Sequence, residues 1–295
     1  MKGESFAMNG EDGLNSYKKN SKLQALDNVG PNTFACVQTI VEAVKLKFKN
    51  QLPELHVFFN DHVANEFNTL FKAFLIDRTY MVARVPGSFH GQLIPKASMN
   101  LMHTAFCVHW LRRVPEQVTK VGSCTLNKGR ISYVSSSDEV VEAFGAQFES
   151  DAEGFFAARS AELVDDTFEC LGCALADMAK EKTLETLITT EQKTLEMLID
   201  LVMAGLVSDD LLDSFNVPIY IPSPSEIKRV VLGMKHLISI ERLEELYYTS
   251  NLSTPDDVRG RVFHIRATIE GILVKHFLSE LNTNELFERY IHKIE

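Results

Sequence analysis

Cysteine, tryptophan, positive charge and long apolar runs are all scarce in this chain, and each scarcity removes a class of answers. There are five cysteines in 295 residues, an odd and scattered set. They do not make a disulfide framework, and a chain of this length can bury a core without one. Cys170 and Cys173 form a lone Cys-x-x-Cys with no second pair and no histidines at ligand spacing. That argues against zinc. The flanking Ala174–Met178 reads helical and apolar, so the pair is expected as two buried thiols. The longest apolar stretch, Leu198–Val207, carries Asp200 and is too short to cross a bilayer. The N-terminus lacks the apolar core of a signal peptide, so the expectation is a soluble, cytoplasmic protein without a membrane partner. Lys and Arg number 30 against 40 Asp and Glu, a formal net charge of -10. Such a chain repels phosphate backbones, which excludes nucleic acid as the expected partner. Also missing are a Gly-x-Ser-x-Gly elbow, a phosphate-binding loop, a dinucleotide fingerprint and a zinc helix.

What is present is enough apolar material for a large core, 45% of residues, and a pattern that changes along the chain. Phe34, Val37, Ile40, Val41, Val44 and Phe48 recur at spacings of three and four and predict a helix. Leu55–Phe59 is a short apolar run ending in Asn60-Asp61 and reads as a buried strand. Tyr80–Val85 and Leu101–Val108 read the same way. Strands separated by helical stretches predict an α/β core. Beyond Ser137 the pattern turns helical: Val140–Val164, Lys182–Val207, Ser225–Lys235 and Val258–Leu278. Within the second of these, Lys182–Ile188 recurs as Lys193–Ile199. A period of eleven is close to three full turns, so both copies present the same face, a packing stripe.

Several short segments have the residue types of a binding site. Met8–Gln24 contains Gly10 and Gly13, which let backbone approach a ligand, together with Tyr17 and Gln24. Asp61 lies just past a strand, where α/β proteins bind ligands; its two oxygens suit a ribose diol, or the residue is a helix cap. Val85–His90 supplies a Gly turn, the Ser88 hydroxyl and the Phe89 ring. Phe106–Trp110 ends in His109 and the only tryptophan. That pair could grip a carboxylate, act as a base, or be a satisfied core pair.

Taken in order, Met8–Ser21, Gly30–Phe34, Phe58–Asp61, Phe67–Phe71, Val85–Phe89, His109–Leu111, Asn127–Gly129 and Leu212–Pro218 resemble the plant SABATH family of S-adenosylmethionine-dependent carboxyl methyltransferases. His56–Asn68, Leu126–Tyr133 and Gly154–Val164 look closest to the branch that contains loganic acid carboxyl methyltransferases. The resemblance implies a Rossmann-like class I methyltransferase core over residues 1–166 and a mostly helical cap over 167–295. It implies S-adenosylmethionine contacts at Tyr17, Asn32, Asp61, His62, Ser88 and Phe89. Gln24, Phe106, His109, Trp110 and Tyr220 match pocket positions, with Gln24, His109 and Trp110 orienting a substrate carboxylate. Asn127, Asp213, Phe215 and Asn216 match a magnesium site, and the family implies a homodimer.

Three departures accompany the resemblance. A helix and most of the family's first core strand are missing upstream of Gly30. Asp165–Phe168 is expected to run directly into the cap helix, without the family's next strand. The chain ends at Glu295, where the family continues. Phe106 also replaces a usual Tyr, and Arg84 a usual small residue. The expected function is methylation of the carboxylate of a small plant acid (iridoid, aromatic or terpenoid). The alternatives are N-methylation of a nitrogen heterocycle, a catalytically impaired dimer or interaction subunit, and a hydrolase-like enzyme using His109.

Overall fold

A computed structural model describes residues 31–48, 54–63, 79–105, 107–164, 170–174, 200, 207–241, 243, 255–277 and 282–294. Tyr17, Gln24, Phe106, the Phe67–Phe71 motif and both copies of the duplication, Lys182–Ile188 and Lys193–Ile199, lie outside them.

The first helix, α1 (Pro31–Lys47), opens on a proline, whose missing N–H is no loss in a first turn. Lys45 and Lys47 sit in its last turn, where cations suit the helix dipole. Val41 is buried, with Val37, Ile40 and Val44 half-buried beside it, as the spacing predicted; Phe48, past the helix end, is exposed. Strand β1 (His56–Asp61) pairs in parallel with β2 (Met81–Pro86), from His56 opposite Met81 to Asp61 opposite Pro86. Strand β3 (Leu101–Ala105) pairs in parallel with β4 (Cys170–Ala174), from Leu101 opposite Cys170 to Ala105 opposite Ala174.

The α/β expectation therefore holds, but the four described strands form two separate pairs. Among the described residues no strand pairs with members of both. The expectation for the segment after Asp165 is corrected. Cys170–Ala174 is a strand rather than the start of a cap helix, because its backbone takes up the ladder of β3. The third strand is also shorter than Leu101–Val108: the backbone turns at its end, with the Trp110 N–H donating to the Cys107 carbonyl at 2.9 Å.

Helix α2 (Asp138–Glu162) is the spine of one core. Val140, Ala143, Phe144, Phe148, Ala152, Phe155 and Phe156 are buried at helical spacing, and pack with Leu111, Val118, Val230 and Val231. Acidic Asp138 and Glu139 begin this helix and Arg159 is in its last turn, the order the dipole favours. Three more helices are α3 (Asp209–Ser214), α4 (Pro224–Gly233) and α5 (Pro255–Phe277), followed by α6 (Thr283–Ile294). Helix α4 starts with a reciprocal capping box between Ser223 and Glu226. Leu286, Phe287 and Tyr290 of α6 pack against Val262, Ile269, Leu273 and Phe277 of α5, in a second core that also takes in Phe215 and Val217. Helix α6 was not anticipated, although Leu286, Phe287, Tyr290 and Ile291 have helical spacing. The segment 215–220 joins the two cores. Val217 N–H donates to Ile131 at 2.7 Å, Leu111 N–H to Pro218 at 2.8 Å and Tyr220 N–H to His109 at 2.9 Å.

Candidate active site

Parallel strands carry their loops at one end, and the chemistry-bearing residues cluster there. Asp61 is the last residue of β1. Its Oδ1 accepts from the His62 N–H at 2.7 Å, and its carbonyl accepts from the Gly87 N–H at 2.9 Å. Asn60 fastens the same corner, donating from Nδ2 to the Val85 carbonyl at 2.7 Å and the Gly87 carbonyl at 3.1 Å. A Cβ at Gly87 would stand 2.8 Å from Leu93 Cδ2, so any other residue would make that side chain shift. Ser88 and Phe89 follow at once, both half-buried. The Phe89 ring lies 4.2 Å from the His90 ring and 6.1 Å, edge on, from Phe155. Asn32 lies in the first turn of α1.

The segment after β3 closes the group. Cys107 is buried and shares a hydrogen bond with Thr104 Oγ1. Burial pushes its thiol up to about 11, and the Asp61 carboxylate adds to the rise. Burial pushes His109 down to about 4. Its imidazole is neutral at pH 7 and can donate from only one nitrogen. The Trp110 ring is 5.9 Å from that of His109 and packs against the second core, and Trp110 is bridged antiparallel to Ile219. His90, 7% exposed, is also lowered to about 4, by burial first and then by the Arg112 guanidinium; it bonds the Trp110 backbone. Its Nδ1 is buried without a partner. His90 thus stands between the Ser88-Phe89 segment and the His109-Trp110 segment.

Tyr220 meets this site through its backbone, not its hydroxyl. The ring is 4.8 Å from Tyr133 and 5.6 Å from Phe148. Its hydroxyl donates to Glu226 Oε1 at 2.6 Å. Burial, then Glu226, raises its pKa.

The four residues matched to magnesium are in one neighbourhood. Asn127 Nδ2 donates to Asn216 Oδ1 at 2.7 Å and to the Ser132 carbonyl at 2.8 Å, while Ser136 donates to Asn127 Oδ1 at 2.8 Å. Asp213 pairs with Lys128 Nζ at 3.2 Å. The Phe215 ring is in the core, 5.2 Å from Phe277. A hard cation wants free oxygens. Here both amide oxygens accept from donors, the carboxylate holds an ammonium, and the unpartnered atom is a donor, Asn216 Nδ2. Neither amide oxygen is therefore open to magnesium as the side chains stand, and one Asp213 oxygen holds Lys128. Among the described residues there is no cluster of His, Cys, Asp and Glu able to hold a metal.

Sequence reasoning missed Asn60, His90, Arg159 and Glu162. Asn60 and His90 stand inside the recognised motifs and are signalled by that position. Arg159 and Glu162 lie about seventy residues downstream, inside Gly154–Val164, a segment that carried the branch resemblance but no sign of a link to this loop.

The chain was compared with known proteins. The family model described as SAM dependent carboxyl methyltransferase matches residues 28–295. A loganic acid O-methyltransferase of Catharanthus roseus is 36% identical over 277 residues, 91% of this chain and 72% of that longer protein. A 3,7-dimethylxanthine N-methyltransferase of Camellia sinensis var. assamica is 35% identical over 280 residues, 89% of this chain and 75% of the relative. Among solved structures, a loganic acid methyltransferase with SAH superposes at a TM-score of 0.84 with 32% identity, covering 98% of this chain and 92% of that one. The fold is therefore that of these methyltransferases, with an incomplete sheet. The chain belongs to the S-adenosylmethionine-dependent carboxyl methyltransferase family.

Proposed function

We propose that this protein transfers the methyl group of S-adenosylmethionine to the carboxylate of a small plant acid, giving a methyl ester. The observation that carries the reading is that Asp61 ends β1, Ser88 and Phe89 follow β2, and His109 and Trp110 follow β3, each at the C-terminal end of a strand in a parallel pair. In it Asp61 holds the cofactor's ribose, with Ser88 and Phe89 against the adenosine and Tyr17, Asn32 and His62 completing the contacts. A carboxylate, a hydroxyl and an aromatic ring suit a nucleoside in kind. When bound, the cofactor supplies a methyl carbon on a cationic sulfur, which an ionised carboxylate attacks in line.

The acceptor is already ionised at pH 7, so the protein supplies no base. Neutral His109 and the Trp110 indole orient the acid with Gln24, while Phe106 and Tyr220 belong to the surrounding pocket. Such alignment is worth roughly 7–11 kcal/mol in favourable cases. No step needs magnesium, and an ion among Asn127, Asp213, Phe215 and Asn216 would first have to displace Lys128 and Ser136. The homodimer and the cytoplasmic location are part of this reading, checked by light scattering and fractionation. Similarity to a protein named for loganic acid puts iridoid acids first among substrates.

A second reading is N-methylation of a nitrogen heterocycle, supported by the N-methyltransferase relative. The test is S-adenosylhomocysteine binding by calorimetry, with Asp61→Ala as control, then turnover on iridoid acids, aromatic acids and xanthines. Micromolar binding abolished by Asp61→Ala, with ester formed, bears the proposal out. Turnover on xanthines alone selects the second reading. No binding by a folded chain leaves the impaired interaction subunit.

A further inference from the structure

Arg159 and Glu162 lie in the last turn of α2, only 4% and 0% exposed. Arg159 Nε donates to Glu162 Oε2 at 2.7 Å, and Nη2 to Oε1 at 3.0 Å. The pair then reaches outward. Nη1 donates to the Phe89 carbonyl and Nη2 to the Gly91 carbonyl, both at 2.8 Å. Glu162 Oε1 accepts from the Leu93 N–H at 2.5 Å and the Ile94 N–H at 3.1 Å. Four backbone groups of one loop therefore end on one buried ion pair. Desolvating two charges is costly, and a hydrophobic pair often stabilises a helix contact as well or better. What a hydrophobic pair cannot do is satisfy two carbonyls and two N–H groups at once. The rigid fork of a guanidinium can, and an ammonium cannot reproduce it.

We propose that Arg159 and Glu162 are positioning residues for the methyl transfer. They clamp residues 89–94 so that Ser88 and Phe89 meet the cofactor in a single geometry, and they touch neither cofactor nor acid. This rests on the reading that Ser88 and Phe89 face the cofactor.

Arg159→Lys keeps the charge and loses the fork. The expected result is a rise of about tenfold in the Kd for S-adenosylhomocysteine and in the KM for S-adenosylmethionine, with the KM for the acid changed far less. A merely structural role would lower the melting temperature and the active fraction and leave that Kd alone. Because Arg159→Lys risks misfolding, Arg159→Met with Glu162→Leu removes both charges together. It is expected to fold with the loop's four backbone groups turned to water, and to bind S-adenosylhomocysteine at least as weakly as Arg159→Lys. Phe89→Ala, measured in parallel, separates the two readings. If Phe89→Ala weakens binding and both clamp variants bind like the parent, the clamp is overturned alone. If none of the three changes the Kd, the assignment of this loop to the cofactor falls with it.

Discussion

At the scale of single residues, the site depends on imidazoles held neutral. His109 and His90 are both lowered to about 4 by burial, His90 also by nearby Arg112. The unfolded chain takes up these protons near pH 6.5, whereas the folded chain resists until about 4. Stability contributed by these rings is thus fully present above pH 6.5 and is lost as pH falls from there toward 4, by up to about 3 kcal/mol per ring. Urea unfolding at pH 7.5 and pH 5 is expected to show that loss, and His90→Phe is expected to reduce it. Activity should show no descending limb from His109 between pH 6 and 8, since its charge does not change there; a kcat that falls as pH drops from 8 to 6 would contradict this. Tyr220→Phe removes the hydrogen bond to Glu226. It is expected to cost about 0.5–1.5 kcal/mol in a melt while leaving the KM for the acid within twofold. A large rise in that KM would return the hydroxyl to the pocket.

At the scale of elements, helix α2 does two jobs with one stripe. Its phenylalanines fill a core and its last turn holds a loop. Phe155→Ala is expected to lower stability by about 3–5 kcal/mol, measured in denaturant, because Phe155 is 1% exposed and also backs Phe89. The sequence displayed this helix and α1 through their 3.6-residue spacing, and β1 and β2 as short apolar runs. It misled at Cys170–Ala174: five residues with a glycine carry little periodic signal, and the strand exists through its pairing with β3. Helix α6 had a readable stripe, but it is short and its apolar face matters only once α5 is beside it.

At the scale of the whole molecule, the two strand pairs are the dominant fact. Among the described residues, exposed Phe58, Met81 and Leu101 lie on them, and leaving such side chains in water forgoes up to about 1.5–3 kcal/mol each. Against a typical domain stability of about 5–15 kcal/mol, that is a large fraction. The chain is expected to melt at low temperature alone and to gain about 2.7 kcal/mol with S-adenosylhomocysteine at a hundred times its Kd. A melt that the ligand does not move would mean the site is not formed. Magnesium and chelators are expected to leave the melting temperature unchanged, because the Asn127–Asn216 cluster is already hydrogen-bonded. A rise with magnesium alone would reverse that reading.

What the sequence determined by itself was the family, the α/β class and the segments that carry the site, because close backbone approach, aromatic stacking and carboxylate chemistry need particular residues in order along the chain. Only the tertiary structure decided what those residues face. It turned the Tyr220 hydroxyl into the core, closed the proposed magnesium oxygens on donors, recruited Cys170–Ala174 as a strand, and set Arg159 and Glu162 beneath a loop about seventy residues earlier. The physical reason is that propensity and periodicity act within a few turns of chain, whereas desolvation and hydrogen-bond satisfaction are settled by whichever groups the packed fold brings together.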